Sequence, residues 1–353
     1  MCAVFVCSLA AAPVWPQPLV GPWDVLRRAA AANDLPSTTA ERARSPLAAD
    51  PGRVVYLVRP RETDPRIVRF LRDHYVVYNR TVPQNGKLFV FLPGTWSRPA
   101  AYQRILNEAA RAGYKAIGLE YPDDALDPSA SAVGQICLRN PDPGCSARVR
   151  AVRIMGGAAD GVIVAPADGL QNRLEKLLAY LAQQHPADGW DRFFPGGRVA
   201  WDLIAVDGHS QGAGMAAFLA KSHTVARVVL WSGPADYVLA THSVAAWLSA
   251  PSATPPGRWY GVVHRDEAGV GTLLTAYKTL GIPGAPVIAD AAIPPPGSHQ
   301  FVVTLPPRPN PAAPVLPVIA GASHGSVVAD RRTPLDDAGR PVYAPLWRTM
   351  LGP

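Results

Sequence analysis

A serine between two glycines lies near the middle of the chain. Residues 208–212 read G-H-S-Q-G, so Ser210 stands two positions from a glycine on either side. The apolar run Leu203–Val206 precedes this motif, and the Ala-rich segment Met215–Ser222 follows it. A G-x-S-x-G sequence between a strand and a helix makes a sharp turn that exposes the serine hydroxyl near the positive end of the helix. The spacing predicts that Ser210 is a nucleophile, the alternative being a simple glycine-rich turn.

A serine hydroxyl is a weak nucleophile until a base accepts its proton, and that base is usually a histidine. After a serine in this kind of turn, the chain supplies first an acid and then the histidine. Of the eight histidines, His299 and His324 follow suitable acids. His299 directly precedes a predicted strand, which puts it at the opposite edge of the sheet, whereas His324 lies beyond that strand in a Gly- and Ser-rich segment. We therefore expect His324 to be the base rather than a surface histidine.

Three carboxylates are candidates for orienting the histidine. Asp266 and Glu267 follow the predicted strand Trp259–Val263, and Asp236 follows the strand before it. If Leu88–Leu92 is the third strand, then Trp259–Val263 is the seventh, after which the acid usually comes in such sheets. We expect Asp266 to be the acid, with Asp236 and then Glu267 as the alternatives.

Acyl transfer also needs N–H groups aimed at the negative charge that develops on the carbonyl oxygen, each worth about 3–4 kcal/mol. The backbone N–H of Gln211, directly after the nucleophile, is one predicted donor. The other is expected after the third strand, where the sequence reads L-P-G-T-W. Gly94 permits a tight turn there, and Thr95 is the expected donor, with Trp96 as the alternative.

Short apolar runs alternate with helical segments along the rest of the chain. Predicted strands are Arg53–Val58, Tyr75–Val82, Leu88–Leu92, Ala116–Glu120, Leu203–Val206, Val228–Trp231, Trp259–Val263 and Gln300–Leu305. Predicted helices are Ala101–Gly113, Leu170–Gln184, Met215–Ser222 and Tyr343–Leu351. This alternation is typical of an α/β fold, in which a mostly parallel sheet is buried on both faces by helices. The first two strands are close enough in sequence to pair antiparallel.

The segment 121–170 interrupts this rhythm with a long stretch rich in Pro, Asp, Ser and Gly. Structureless connections of this length are uncommon in a compact domain, so we expect a functional loop insertion that overhangs the sheet and shapes the substrate pocket. It contains Cys137 and Cys145, separated by turn-forming residues that can bring the two thiols within disulfide distance. We expect a disulfide, the alternative being two unrelated buried thiols.

The chain starts with the apolar run Met1–Ala12, which has the length of a signal-peptide core but no basic residues before it. It is too short to span a bilayer, for which about 20 residues are needed. Together with the expected disulfide, it favours a secreted or periplasmic protein over a cytoplasmic one. We expect residues 1–50 to be a leader and approach segment, and residues 51–353 to be one domain.

Composition limits the partners. The 353 residues carry 34 Lys and Arg and 27 Asp and Glu, a net charge of +7. The basic residues are dispersed along the sequence rather than clustered, so we expect no nucleic-acid partner. No H-E-x-x-H, Walker or dinucleotide-binding glycine motif is present, and we expect neither metal nor cofactor. The sequence leaves the oligomeric state open.

The motifs around Gly94, Ser210 and His324-Gly325 resemble those of the α/β-hydrolase fold superfamily. Together with the cysteine pair and Ser232-Gly233-Pro234, they more closely resemble a bacterial family of serine hydrolase-like proteins. The resemblance covers roughly residues 53–351 and implies an eight-stranded, mostly parallel sheet and Ser-His-acid chemistry. Pro93 departs from the pattern, because many members have a histidine before the oxyanion glycine.

The expected reaction is hydrolysis of a carboxylic ester of a small molecule or polymer through an acyl-enzyme. Acyl transfer to an alcohol by the same residues is one alternative. A catalytically silent binding protein with this fold is another.

Overall fold

The computed structural model describes residues 35–123, 136–290, 297–309 and 321–352. The predicted leader Met1–Ala12 lies outside these ranges, as does much of the Pro-rich stretch before His324. The described strands are β1 Arg53–Val58, β2 His74–Asn79, β3 Leu88–Leu92, β4 Lys115–Gly118, β5 Gly157–Ala159, β6 Val162–Val164, β7 Ile204–His209, β8 Arg227–Trp231, β9 Tyr237–Val238, β10 Ser243–Val244, β11 Trp259–His264, β12 Val287–Ile288 and β13 Gln300–Val303. The described α-helices are α1 Thr39–Arg42, α2 Pro60–Thr63, α3 Gln103–Arg111, α4 Cys145–Met155, α5 Leu170–Gln184, α6 Gln211–Ser222, α7 Val270–Leu280, α8 Gly321–Ser326 and α9 Ala344–Leu351.

Nine of these strands form one large sheet in the order β1-β2-β4-β3-β7-β8-β11-β13-β12. Strand β2 runs antiparallel to both of its neighbours, and the remaining pairs are parallel. The predicted α/β class, the mostly parallel sheet and the antiparallel first pair are therefore confirmed. The expected count of eight strands is wrong by one, because the two-residue strand β12 pairs with β13 at the edge.

The sheet is buried on both faces. Every residue of β3 and β7 is buried, and alternate side chains enter two different cores. Val90 and Val206 belong to the core that includes α5 and α6, whereas Phe89 and Ala205 belong to the core that includes α3 and α9. Burial on both sides explains why these strands read as continuous apolar runs rather than as alternating ones.

The helices largely follow the sequence pattern. Helix α5 has the predicted bounds, and α3 and α9 lie within the predicted ranges. Helix α6 begins at Gln211, four residues earlier than predicted, because Gly212 of the serine motif and Gly214 are already helical. Helix α7, which follows β11, was not predicted. None of the helices in the described ranges combines the length and apolar character that a membrane span requires.

The insertion after β4 is more ordered than a loop. Cys137 and Cys145 form a disulfide with a Cα–Cα distance of 5.7 Å, which confirms the predicted bridge. The second cysteine begins α4, and the antiparallel hairpin of β5 and β6 follows. Cys137, Cys145, Val149, Val152, Val162 and Val164 pack into a small core of their own. The predicted insertion therefore contains a helix and a hairpin, and the disulfide and the hairpin give it its own apolar cluster.

Candidate active site

Ser210 lies in the tight turn between β7 and α6. Its backbone dihedrals are φ 58° and ψ −118°, a region that non-glycine residues adopt at a cost in free energy. Its N–H donates to the carbonyl of Trp231 at the end of β8, 2.7 Å away, which helps to hold the strained turn. The serine is therefore presented at the carboxyl edge of the sheet, at the start of a 12-residue helix.

The two glycines of the motif are required by close backbone contacts. A methyl group on Gly208 would collide with the carbonyl of Gly212, and one on Gly212 would collide with the carbonyl of Leu92. Strand β7, helix α6 and the end of β3 therefore approach one another more closely than any side chain would allow. This packing brings the segment after β3 against the serine.

The segment after β3 forms a turn beside Ser210. A methyl group on Gly94 would lie 3.1 Å from the Cβ of Ser210, so the glycine backbone lies against the serine. The Ser97 N–H donates to the Gly94 carbonyl at 2.9 Å, and Trp96 has a φ of 57°. Thr95 thus lies in a tight turn next to Ser210, where the sequence places an oxyanion donor. Within the described ranges, its buried hydroxyl has no hydrogen-bond partner.

His324 is paired with Glu267. The Nδ1 atom of His324 lies 2.7 Å from Oε2 of Glu267, and His324 belongs to the short helix α8 rather than to a loop. Because the carboxylate accepts the Nδ1 proton, Nε2 is the ring atom that can accept another proton. The ring lies 4.7 Å, centroid to centroid, from the ring of His209, the residue before Ser210.

Glu267 is buried and held on both oxygens. Its side chain is 0% exposed, and its Oε1 accepts from the Ser232 hydroxyl at 3.0 Å and from the His264 N–H at 2.8 Å. Asp266, preferred from the sequence, is 59% exposed and contacts Arg265 instead of His324. The preference for Asp266 is therefore corrected to Glu267, because the turn after β11 directs Asp266 to solvent and Glu267 inward.

The other sequence candidates lie elsewhere. Asp236 is buried in an ion pair with Arg150 of α4, whose Nε lies 2.9 Å from its Oδ2. His299 bonds to the Trp259 carbonyl at 2.9 Å through Nδ1 and stacks on Tyr260. Trp259 begins β11, so His299 is at the amino end of the parallel strands and opposite Ser210, as the sequence predicted.

His209 connects three parts of the site, a role that the sequence analysis missed. Its Nε2–H donates to the backbone oxygen of His324 at 3.0 Å. Its Nδ1 then accepts from the hydroxyl of Tyr102 at 3.0 Å, and that hydroxyl accepts from the Gly94 N–H at 3.3 Å. The G-x-S-x-G motif contains the histidine, but its partners lie 107 and 115 residues away, so no local pattern could reveal them.

Burial keeps the side chains of His209 and Tyr102, which form this chain of hydrogen bonds, neutral. Burial, with the nearby His324, lowers the pKa of His209 to about 3. Burial raises the pKa of Tyr102 to about 12. At neutral pH, His209 therefore keeps one donor and one acceptor nitrogen, as the hydrogen-bond chain requires.

The strand order is that of the α/β-hydrolase fold, and so is the strained serine turn, followed along the chain by a carboxylate and the histidine that contacts it. The chain has this fold. Among the described residues, no group of three or more His, Cys, Asp or Glu side chains is arranged to hold a metal ion.

The chain matches no family model and no curated protein sequence. Its fold is similar to several solved esterase structures. EstE5 soaked with p-nitrophenyl butyrate is 14% identical over 82% of both chains, with a TM-score of 0.36. Esterase B from Lactobacillus rhamnosis, inhibited by a tributyrin phosphonate, is 14% identical over 81% of this chain and 82% of its own, with a TM-score of 0.36. A bacterial heroin esterase is 13% identical over 75% and 77%, with a TM-score of 0.33. At these values, function has to be argued from the site itself.

Proposed function

We propose that the protein is a serine hydrolase of carboxylic esters, with Ser210 as nucleophile, His324 as base and Glu267 as the acid. The observation that carries this proposal is the 2.7 Å contact between His324 Nδ1 and the buried Glu267 carboxylate, beside the serine turn. A carboxylate on Nδ1 fixes the tautomer in which Nε2 is the proton acceptor. This arrangement supplies the base that a serine nucleophile needs.

The reaction proceeds in two halves. Ser210 Oγ attacks the ester carbonyl while His324 Nε2 takes its proton, and the imidazolium is stabilised by the negative charge of Glu267. The same proton then passes to the departing alcohol, leaving an acyl-enzyme. Water, deprotonated by His324, attacks the acyl carbonyl, and the proton returns to Ser210 as the acid is released.

Backbone N–H groups stabilise the tetrahedral anion. The N–H of Gln211 opens α6, where the positive end of the helix adds to its field. The N–H of Thr95 comes from the turn that Gly94 packs against Ser210. Each such donor lowers the barrier by about 3–4 kcal/mol in measured cases.

The test is covalent labelling with a fluorophosphonate probe. The wild-type protein should be labelled, and Ser210→Ala should not be, while circular dichroism shows both to be folded. Ser222, which ends α6, gives a matched control in Ser222→Ala, which should be labelled like the wild type. If the probe labels the protein but untreated protein hydrolyses none of a chain-length series of 4-nitrophenyl esters, ester hydrolysis would be excluded. A folded protein that the probe does not label would exclude the serine mechanism.

We also infer that the protein is exported to an oxidising compartment. The Cys137–Cys145 disulfide supports this, because disulfides persist outside the reducing cytoplasm. Fractionation of the native host should find the protein outside the cytoplasm with both thiols oxidised. Reduced protein confined to the cytoplasm would overturn the inference.

A further inference from the structure

A large cavity lies next to the proposed active site. It has a volume of about 1020 Å³ and is lined by Ser37 and residues 41–46, by the edge strand β1 and its neighbour β2, by Trp96-Ser97-Arg98 and by residues 329–332. Two of these segments belong to the site, since Trp96 is in the turn beside Ser210 and Ala329 follows His324 by five residues. The cavity is therefore bounded by the turn that carries the proposed oxyanion donor and by the segment that follows α8, the helix of the proposed base.

Arginine dominates its walls, so we call it the arginine cavity. Eight arginines face three carboxylates, an excess of five positive charges. The arginines are Arg42, Arg44, Arg53, Arg72, Arg98, Arg308, Arg331 and Arg332, and the acids are Glu41, Asp73 and Asp330. Charge of one sign in a concave site attracts ligands of the opposite sign.

The three carboxylates are already engaged. Glu41 pairs with Arg72 at 2.6 Å and with Arg98, and Asp73 pairs with Arg42 at 2.8 Å. The third acid, Asp330, accepts the N–H groups of Gln103 and Arg104, at 2.9 and 3.0 Å. Within the described residues, the other five arginines of the cavity have no ion-pair partner.

Arg53 shows this deficit most directly. Its Nη1 atom is buried and has no hydrogen-bond partner in the described part of the chain, and the Nε of the buried Arg72 also has none. A buried guanidinium N–H without an acceptor costs free energy, which an anionic ligand would recover.

We propose that the arginine cavity binds a carboxylate or phosphate group of the ester substrate, an inference that rests on the proposed hydrolase function. Trp96 is two residues beyond Gly94, and consecutive Cα atoms are about 3.8 Å apart, so the cavity wall begins within about 8 Å of the Gly94 Cα. Arg332 lies near the proposed base, because a methyl group on Gly325, the residue after His324, would be 3.5 Å from the Arg332 Cγ. An acyl chain of a few carbon atoms can therefore join a carbonyl at Ser210 to an anionic group at Arg332. Trp96, Val55 and Leu57 give the cavity apolar surface for that chain.

The test compares 4-nitrophenyl monoesters of dicarboxylic acids, from succinate to suberate, with neutral esters of the same chain length. At one chain length, the anionic ester should have a kcat/KM about tenfold higher, and added salt should reduce this preference. Arg332→Gln should lower the ratio of the two values. Arg198→Gln, at an exposed position outside the cavity lining, should leave it unchanged.

Three outcomes would overturn the proposal. If the probe labels the protein but untreated enzyme prefers neutral esters at every chain length, there is no anionic subsite, although the hydrolase function stands. If inorganic phosphate accelerates the hydrolysis of neutral esters but does not inhibit that of anionic esters, the cavity binds an anion that is separate from the substrate. An anion preference that survives Arg332→Gln would place the subsite elsewhere. Absence of labelling would reject the hydrolase function itself.

Discussion

The Nε2 atom of His209 lies 3.0 Å from the backbone oxygen of His324, which ties the residue before the proposed nucleophile to the helix of the proposed base. The other ring nitrogen reaches the Gly94 N–H through the Tyr102 hydroxyl. Neutral hydrogen bonds thus join three chain segments whose relative positions must be accurate to a fraction of an ångström. Misplacement of a reacting group by about 1 Å can cost about 100-fold in rate.

The first prediction removes one link of this chain. Tyr102→Phe keeps the ring that packs on Phe91 but deletes the hydroxyl, leaving His209 Nδ1 without its donor and the Gly94 N–H without its acceptor. We expect kcat for a 4-nitrophenyl ester to fall about tenfold while KM changes less than about twofold, because the change affects alignment rather than substrate binding.

Tyr114→Phe is the matched control. Its hydroxyl is also buried and donates to the Leu351 carbonyl at 2.7 Å, away from the site. We expect it to lower the melting temperature about as much as Tyr102→Phe does, with kcat unchanged. If both variants lose the same amount of kcat, the effect of Tyr102→Phe comes from general destabilisation and not from alignment of the site.

The second prediction concerns the acid. Glu267→Gln replaces the acceptor of the His324 Nδ1 proton by an amide, which can hold the wrong tautomer and cannot stabilise the imidazolium. We expect kcat to fall by about 10³–10⁴-fold, the effect of the corresponding change in a serine protease triad. Asp266→Asn, one residue earlier and exposed, should stay within about twofold of the wild type. A larger loss in Asp266→Asn than in Glu267→Gln would restore the sequence-based assignment.

These adjacent residues mark the limit of what the sequence predicts here. Ser210 was predictable because G-x-S-x-G between a strand and a helix is a local pattern with one steric explanation. Strand β11 was equally plain, so the sequence pointed to the strand end whose Glu267 contacts His324. The choice between Asp266 and Glu267 depends on the turn itself, in which the Glu267 N–H bonds to the His264 carbonyl at 3.2 Å and its side chain folds back onto the His264 N–H.

The same limit applies to the rest of the fold. The buried strands are recognisable in the sequence as apolar runs. Strand β12 has only two residues, at the edge of the sheet, and they are too few to form a detectable pattern. The role of Asp236 was hidden because its partner Arg150 is 86 residues away, in a segment whose composition predicts a loop. Contacts between polar residues that are distant in sequence depend on the assembled fold, so no regular spacing in the sequence reveals them.

The third prediction tests that ion pair as the anchor of the insertion. Arg150 and Asp236 are each 1% exposed in their side chains, and the Trp247 indole also donates to Asp236 at 2.8 Å. Asp236→Asn leaves a buried guanidinium without a compensating charge, which costs about 3–5 kcal/mol. Chemical denaturation should show that loss. Because Arg150 also bonds to the backbone oxygen of Gln211 at 3.3 Å, activity should fall as well.

Asp336→Asn serves as the control for this substitution. Asp336 pairs with Arg340 on the surface, where Arg340 is 73% exposed, and surface pairs contribute about 0–1 kcal/mol. A free energy of unfolding that changes equally in the two variants would contradict the anchoring role of Asp236.

The last prediction concerns Asp207, which lies in β7 three residues before the nucleophile. Burial raises its pKa well above the ordinary value of 3.8, and the nearby Trp231 indole and Arg227 offset only part of that effect. The folded protein therefore keeps this proton at pH values where the unfolded chain has lost it. Since the unfolded state then binds fewer protons, folding stability falls as pH rises above about 4, by up to about 1.4 kcal/mol per unit.

Asp207→Asn keeps the shape of the neutral acid and cannot ionise. Melting temperatures should therefore differ from those of the wild type by an amount that grows in favour of the variant between pH 5 and about pH 8. Asp330, whose pKa burial raises to about 7, has the same sign of effect but is present in both proteins, so it cancels in the comparison. A difference that is constant across this range, or that shrinks with rising pH, would mean that Asp207 is ionised in the folded protein.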